Sequence, residues 1–464
     1  MSSVYPYTDR YDVLRGMPSE GRSREAIVSE LSQLAAEEDK AWEGGQCSGT
    51  MYCGDHDHYE FMGDVYKLFA HVNVLQRDIC PSATKFEGEI IAMTLDMLHG
   101  DAVIDTEPGG LVTSGGSDSI LHAMYAYRES ARERRQVTNP NVIKAETGHA
   151  AFDKACHLLG IELRVAPIDP VTTQADVDWM RDHIDGNTVA LVGSACNYGY
   201  GTVDPIEQMG QIALERGIGL HVDGCLGGFI LPWGQELGYD IGLFDFRIPG
   251  VTTISADTHK YAYGFKGTSV LAFRDIDLRR DQYFFLTDWS GGKYCSPGIA
   301  GSRSGGLLAA TWAGMVSVGR EGYLGYAKAI FETAFAMQDA VKSHAELVLM
   351  GDPTFCFSFR SDDFDIYHVN DFMRMRGWRF NGQQYPNAIH MAVTRPQTQP
   401  GVVERFADDL AEAVTYAKEH ADEPPKSASI YGGVEGGMND EADEFIRNVM
   451  ADMLDKHQGL PDPA

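Results

Sequence analysis

The feature that most constrains this chain is a change of rhythm near residue 111. From there, short apolar runs alternate with helical stretches: NVIKAE, IELRVAPI, TVALVGSA, IGLHVD, VTTISAD and TSVLAFR. Strand-like runs separated by helix-length segments predict βαβ units and a mostly parallel sheet. A parallel sheet is covered by helices on both faces, so its strands read as continuous apolar runs rather than alternating ones. In such a sheet, ligands bind at the carboxyl ends of the strands. Residues just after each run are therefore the first to inspect for chemistry.

The flanks are less regular. Residues 1–22 read as an arm, and Ser23 is placed to cap a helix over 24–42. A second helix is expected over 60–71, and FEGEIIAMTLDML at 86–98 reads as a buried helix. After about residue 320 come a long helix, PTFCFSF, a helix over 366–376, AIHMAVT and a closing helix over 403–421, followed by an acidic helical tail from Glu435. These divide the chain into an N-terminal arm with helices (1–95), a large α/β domain (96–320) and a smaller α+β C-terminal domain (321–464).

Composition narrows the partners. The 464 residues include 38 Lys and Arg against 67 Asp and Glu, a formal charge of −29. Such a chain repels phosphate backbones and anionic membranes at long range, which argues against nucleic acid. No apolar run reaches the length of a membrane span. The start, MSSVYPYTDR, has no signal-peptide core, and the eight cysteines form no CxxC pair. Both point to reduced thiols in a soluble, cytoplasmic protein without a zinc ribbon.

Three motifs follow strand-like runs. In LVTSGGSDS, Gly115 and Gly116 let the backbone approach an anion, and Ser117 stands where the N-cap of the next helix is expected, with the helix N–H groups and dipole behind it. In GLHVDGCLGGF, Asp223 closes a buried strand, where a carboxylate can meet a protonated ring nitrogen. In SADTHKYAYGFKG, a strand ends and presents Asp257, His259 and Lys260, with a second lysine, Lys266, six residues on. A lysine in that place is costly unless paired or held as an imine. An anion cradle, an acidic partner and a Schiff-base lysine are together what pyridoxal 5'-phosphate requires. His149, in TGHAAFDKA, would lie at another strand end in the same crevice, able to stack on a flat ring.

Together with NVLQRDICPSATKFEGEIIAMTLDML and DWSGGKYCSPGIAGSRSGG, these segments closely resemble the sphingosine-1-phosphate lyases, within the pyridoxal-phosphate-dependent group II decarboxylase superfamily. The resemblance implies a fold-type-I, aspartate-aminotransferase-like enzyme. It would cleave phosphorylated sphingoid bases between C2 and C3 to a long-chain aldehyde and phosphoethanolamine. It implies Lys260 as the Schiff-base lysine, Asp223 as partner of the pyridinium nitrogen and His149 as the residue stacked on the ring. Gly115, Gly116, Ser117 and His259 would hold the cofactor phosphate. Ser302 and Gly305 would reach it from the neighbouring subunit of a homodimer with shared sites. Lys266 and Tyr52 would contact the substrate phosphate, and Asn197, Tyr198 and Tyr294 would line the reacting centre, with Asn197 also on the cofactor.

The chain departs from the family pattern at Gln76, where many members carry a histidine that helps bind substrate phosphate. Glutamine donates a hydrogen bond but no charge, and the neighbouring Arg77 offers one. SACNYGYG replaces a proline-containing turn, and the membrane-spanning N-terminus of eukaryotic members has no counterpart here, as in a soluble microbial form. Three rivals are weighed against this reading; one, a catalytically dead scaffold or binding protein, would lack the site lysine, and Lys260 is present. An amino-acid decarboxylase would use the same Lys260 and Asp223. A metal site at GDHDHYE would need His56, His58 and Glu60 to share a strand face, whereas they fall in a polar turn entering a helix.

Overall fold

In the computed structural model, residues 5–427, 433 and 439–460 are described. Three N-terminal helices come first, α1 (Arg24–Glu38), α2 (His56–Phe69) and α3 (Ser82–Met97). The alternating region follows: β1 (Gly109–Thr113), α4 (Gly116–Arg135), β2 (Asn141–Ala145), α5 (Ala151–Leu159), β3 (Glu162–Ala166), α6 (Val177–Asp182), β4 (Thr188–Ser194), α7 (Ile206–Arg216), β5 (Gly219–Asp223), α8 (Leu231–Glu236), β6 (Thr253–Ala256), β7 (Ser269–Phe273) and α9 (Ile276–Arg280). A hairpin, β8 (Phe284–Leu286) and β9 (Tyr294–Ser296), leads to α10 (Gly305–Lys342). The remainder is β10 (Leu347–Leu349), β11 (Cys356–Ser361), α11 (Tyr367–Met375), β12 (Asn381–Gln383), β13 (Ala388–Ala392), α12 (Val402–Glu419) and α13 (Asp440–Gln458).

The central sheet has seven strands in the order β1-β7-β6-β5-β4-β2-β3. Neighbours from β6 to β3 pair in parallel, while β7 runs antiparallel to both β1 and β6. The strand that breaks the pattern, SVLAF, is the last to enter the sheet and fills the gap between the first strand and the rest. Because β7 opposes both neighbours, β1 still points the same way as β6. The carboxyl ends of β1, β2, β5 and β6 thus gather at one edge. Strands β1, β2, β4, β6 and β7 are buried along their whole length, the burial that their continuous apolar runs require.

A second sheet, β10-β11-β13-β12, is wholly antiparallel. The long helix of the C-terminal half begins at Gly305, well before the expected position near 320. A single residue of that helix leaves helical geometry, Gly319, with φ +61°. Glycine adopts that conformation without the Cβ penalty, so the bend falls one residue before position 320. The second N-terminal helix also starts early, because Asp55 caps it by accepting from the His58 N–H at 3.2 Å. That places His56, His58 and Glu60 on a helix. His56 Nε2 lies 2.9 Å from Glu43 Oε1, while His58 Nε2 meets the Tyr263 carbonyl at 3.1 Å, so the three do not converge. Among the described residues, the acidic and histidine atoms close enough to share an ion are those of half-buried Asp39 and exposed Glu43 and His56. Of the acidic tail, Glu435 lies outside the described residues, and the helix within them begins at Asp440.

The two sheets meet at Gly201, in the loop after β4. Its φ is +73°, and a Cβ there would lie 1.8 Å from the Cys356 carbonyl oxygen, while the Gly201 carbonyl accepts from Thr354 N at 3.1 Å and Thr354 Oγ1 at 2.9 Å. No helix among the described residues is long and apolar enough to cross a membrane. All eight cysteines are free. The contact at Gly201 yields a first prediction. Gly201→Ala forces backbone apart in a packed interior and costs about 3 kcal/mol or more, read as a fall in thermal midpoint of several degrees. An unchanged melt would show that this contact does not hold the sheets together.

Candidate active site

The cradle begins where β1 ends. Gly115 has φ +152°, and a Cβ at Gly116 would sit 2.7 Å from Asp257 Oδ2 and 2.8 Å from Cys225 Sγ. The helix α4 starts at Gly116, so Ser117 lies inside its first turn and Gly115 takes the cap position without a side chain. The expected serine cap is absent because the backbone here must leave room for a ligand and for Asp257. The Asp118 carboxylate closes the turn instead, accepting from Ser114 N at 2.9 Å and Ser114 Oγ at 3.0 Å. A cavity of about 400 Å3 opens on this turn, lined among others by Ser114, Gly115, Gly116, Ser117, His149, Cys225, Asp257, His259 and Lys260.

Lys260 is the centre of charge. Its Nζ lies 3.0 Å from Asp257 Oδ2, and the Asp257 side chain is only 3 % exposed. Burial pulls an ammonium down, but the Asp257 carboxylate outweighs it and holds Lys260 well above the ordinary lysine value. The second oxygen, Asp257 Oδ1, is buried with no hydrogen-bond partner. His259 donates from Nδ1 to the Thr268 carbonyl at 2.7 Å, which leaves Nε2 facing Asp257 Oδ2 at 3.6 Å. Asp257 stands out in sequence as a residue at a strand end, and only its three-residue spacing from Lys260 hints at the ion pair.

Asp223 is the last residue of β5 and faces Ser255 across the β5–β6 ladder. Its Oδ1 accepts from Cys225 N at 3.0 Å and lies 3.3 Å from Ser255 Oγ. His149 is exposed on the cavity wall, with Nδ1 accepting from Ala151 N at 3.1 Å. Asn197 is buried in the loop after β4, where its amide serves the turn: Oδ1 accepts from Tyr200 N at 2.8 Å and Nδ2 donates to the Thr173 carbonyl at 3.4 Å. Tyr198 packs on His390 with ring centroids 4.5 Å apart. Burial pushes its phenol up to about 12, partly offset by the charge of Lys260.

A second cavity, of about 240 Å3, adjoins the first, with His259 lining both. Its walls include Trp42, Tyr52, Tyr59, Tyr263, Phe265 and Lys266. Lys266 Nζ sits 4.6 Å from the centroid of the Tyr52 ring and donates to the Thr50 carbonyl at 3.2 Å. The apolar walls, and then the charge of Lys260, push its ammonium down to about 8. The aromatic lining from Trp42 and Phe265 escapes sequence reading because it converges from distant segments.

Seven expected residues line neither cavity of this chain, Asp223, Asn197 and Tyr198 as placed above and four more. Tyr294 is on the β8–β9 hairpin beside Trp289. Ser302 Oγ accepts from Asn73 Nδ2 at 2.9 Å. Gly305 starts α10 against Val72, where a Cβ would lie 2.5 Å from Val72 Cγ1. Gln76 is exposed in the preceding turn, and Arg77 pairs with Glu87 rather than standing free as a second cation.

Comparison with known proteins places this geometry. The model of the pyridoxal-dependent decarboxylase conserved domain matches residues 12–360. The sphingosine-1-phosphate lyase of Dictyostelium discoideum is 38% identical over 95% of this chain and 81% of its own, and that of Arabidopsis thaliana 40% over 92% and 78%. The solved structure of the sphingosine-1-phosphate lyase from Burkholderia pseudomallei superposes with a TM-score of 0.93 at 56% identity, covering 98% of this chain and all of that one. The chain belongs to the sphingosine-1-phosphate lyases of the pyridoxal-dependent decarboxylase family. A glutamate decarboxylase from Lactobacillus brevis, at 18% identity and a TM-score of 0.74, shares the fold alone.

The cofactor of this lyase family member is pyridoxal 5'-phosphate, and the residues present fit it. The two glycines would leave the mouth of α4 clear for a phosphate, Lys260 would supply the amine, and the unpartnered Asp257 Oδ1 marks a polar place left open beside it. A cavity of about 400 Å3 is in the range of small-molecule sites. Gly116→Ala would fill the cradle against Asp257 and Cys225. It is expected to weaken pyridoxal phosphate binding by about tenfold or more, the loss of one charge-assisted contact, measured by titrating the visible absorbance of the bound cofactor. Wild-type affinity would mean that the phosphate sits elsewhere.

Proposed function

We propose that this chain cleaves phosphorylated sphingoid bases between C2 and C3, giving a long-chain aldehyde and phosphoethanolamine. The observation that carries the reading is Lys266. It is a cation held over the Tyr52 ring in a cavity that shares His259 with the cofactor cradle. An amino-acid decarboxylase has no substrate phosphate for such a cation to read, and the relatives at 37–40% identity carry the lyase name.

Bound pyridoxal phosphate supplies an electron sink for the bonding pair of the broken bond. The chain's own groups do the rest. Asp223 would meet the ring nitrogen and His149 the ring face, and the first turn of α4, with Gly115, Gly116, Ser117 and His259, would hold the phosphate. Lys266 and Tyr52 anchor the substrate phosphate, and that anchoring sets which bond at C2 stands perpendicular to the ring, so binding energy is used for orientation. Tyr198 keeps its proton near neutral pH, since its phenol lies near 12, and acts as a hydrogen-bond donor. That leaves the freed Lys260 amine, Tyr294 and the cofactor phosphate as acceptors for the C3 hydroxyl proton; at Lys260, Asp257, 3.0 Å away, would stabilise the ammonium formed.

Lys266 makes the proposal measurable. The Lys266→Ala variant is expected to lower kcat/KM for a phosphorylated sphingoid base by about tenfold to a hundredfold, the worth of a hydrogen bond to a charged group. In the unmodified enzyme, kcat/KM falls as pH rises through about 8, where free Lys266 loses its charge. That alkaline limb disappears in the Lys266→Ala variant. Formation of aldehyde and phosphoethanolamine is followed by mass spectrometry; release of carbon dioxide from an amino acid instead would overturn the reading.

The site is completed in a homodimer. Phe284, Phe285, Leu286 and Trp289 form an exposed apolar patch on the hairpin that carries Tyr294. A patch of this kind marks an interface, and a partner seated there brings Tyr294, Ser302 and Gly305 toward a site that they do not line in their own chain. Phe285→Asp should shift the sedimenting species from dimer to monomer and remove activity in step. A fully active monomer would show that each chain is self-sufficient.

A further inference from the structure

Strands β5 and β6 carry polar side chains where a core sheet is ordinarily apolar. Their parallel register sets His221 opposite Thr253 and Asp223 opposite Ser255, two residues apart and so on one face. The contacts form an unbroken line. Tyr127 Oη is 2.6 Å from Thr253 Oγ1, which is 2.8 Å from His221 Nδ1. His221 Nε2 is 3.3 Å from Ser255 Oγ, which is 3.3 Å from Asp223 Oδ1. His221, Thr253 and Ser255 are completely buried.

The chemistry of the donors fixes the direction of the protons nearest Asp223. An ionised carboxylate only accepts, so Ser255 donates its O–H to Asp223. Ser255 Oγ must then accept, and two donors reach it: the Cys225 thiol at 3.1 Å and His221 Nε2–H. Burial pushes His221 down to about 4, so the ring is neutral near pH 7, with one donor and one acceptor nitrogen. With Nε2 protonated, Nδ1 accepts from Thr253, whose Oγ1 also meets Tyr127 Oη, itself shared with Thr252 Oγ1 at 2.7 Å. The hydrogens of Thr253, His221 and Ser255 all point toward Asp223. If these groups merely satisfied one another, no common direction would be needed, and valines would serve the core as well.

We infer that His221 and Ser255 are positioning residues that act through Asp223, fixing its carboxylate and its negative charge against the ring nitrogen of the cofactor. This rests on the reading of Asp223 as that nitrogen's partner. Neither residue touches the cofactor cavity, and Cys225, which does, links the two through its N–H to Asp223 and its thiol to Ser255.

The test uses the full-length holoenzyme loaded with pyridoxal phosphate carrying 15N in its ring, with the ring-nitrogen chemical shift read by NMR beside kcat and KM. Ser255→Ala removes one oxygen. His221→Leu keeps bulk without a donor, and His221→Gln restores an amide N–H toward Ser255. Ser255→Ala and His221→Leu are expected to move the ring-nitrogen signal toward the unprotonated position and lower kcat about tenfold, with KM within about twofold. His221→Gln should recover most of both. Ser255→Ala alone decides the matter if His221→Leu does not fold. Should Ser255→Ala keep the wild-type signal and kcat while Asp223→Asn loses the signal, the relay falls and Asp223 stands. A ring nitrogen still protonated in Asp223→Asn would overturn the assignment of Asp223 itself, and the relay with it.

Discussion

An ammonium half-buried in a cavity wall is answered by a buried carboxylate, Asp257 meeting Lys260 at 3.0 Å. Much of the site follows from that pair. Asp257 lies so close to α4 that residue 116 has no room for a side chain, and the same absence clears the cradle for a phosphate. His259 turns its Nδ1 to the Thr268 carbonyl, and its other nitrogen faces the carboxylate. Burial, and after it the Lys260 charge, pushes Lys266 down to about 8, still charged near neutrality but only just. One ion pair thereby sets the space at residue 116 and the carboxylate that the second nitrogen of His259 faces.

The sheet makes this arrangement possible. Parallel pairing sends β2, β5 and β6 in one direction, and the antiparallel β7 lets β1 join them. Four carboxyl ends then share one rim, so Ser117, His149, Asp223 and Lys260, spread over more than a hundred residues of sequence, meet within a few side-chain lengths. The polar line from Tyr127 to Asp223 belongs to the same design, running through the sheet's interior to a group at that rim. Against the chain's charge of −29, the cations at the rim are local exceptions, consistent with sites for the phosphates of a cofactor and a substrate.

The alternation of apolar runs with helical stretches was enough to read the parallel sheet, because burial on both faces leaves a continuous signal in composition. Helix starts were less legible. The helix at His56 begins four residues before its apolar pattern does, since Asp55 caps it, and α10 opens at Gly305 in a tract whose glycines hide the helical period. Ser117 was misplaced at the cap for a related reason: sequence shows which residue can cap, but not that a neighbouring carboxylate and a ligand cavity claim the space.

By itself, the sequence determined the kinds of chemistry: a lysine and an aspartate at strand ends, a glycine turn before a helix, and a second lysine six residues after the first. These are local facts, set by the residues and the strand that carries them. Only the tertiary structure decided which groups meet. It paired Lys260 with Asp257, committed Arg77 to Glu87, and set Lys266 on Tyr52. It also left Tyr294 on an exposed hairpin away from both cavities of its own chain. Each of these depends on contacts between segments far apart in the chain, where distance and burial, not residue type, set the charge, the acidity and the partner.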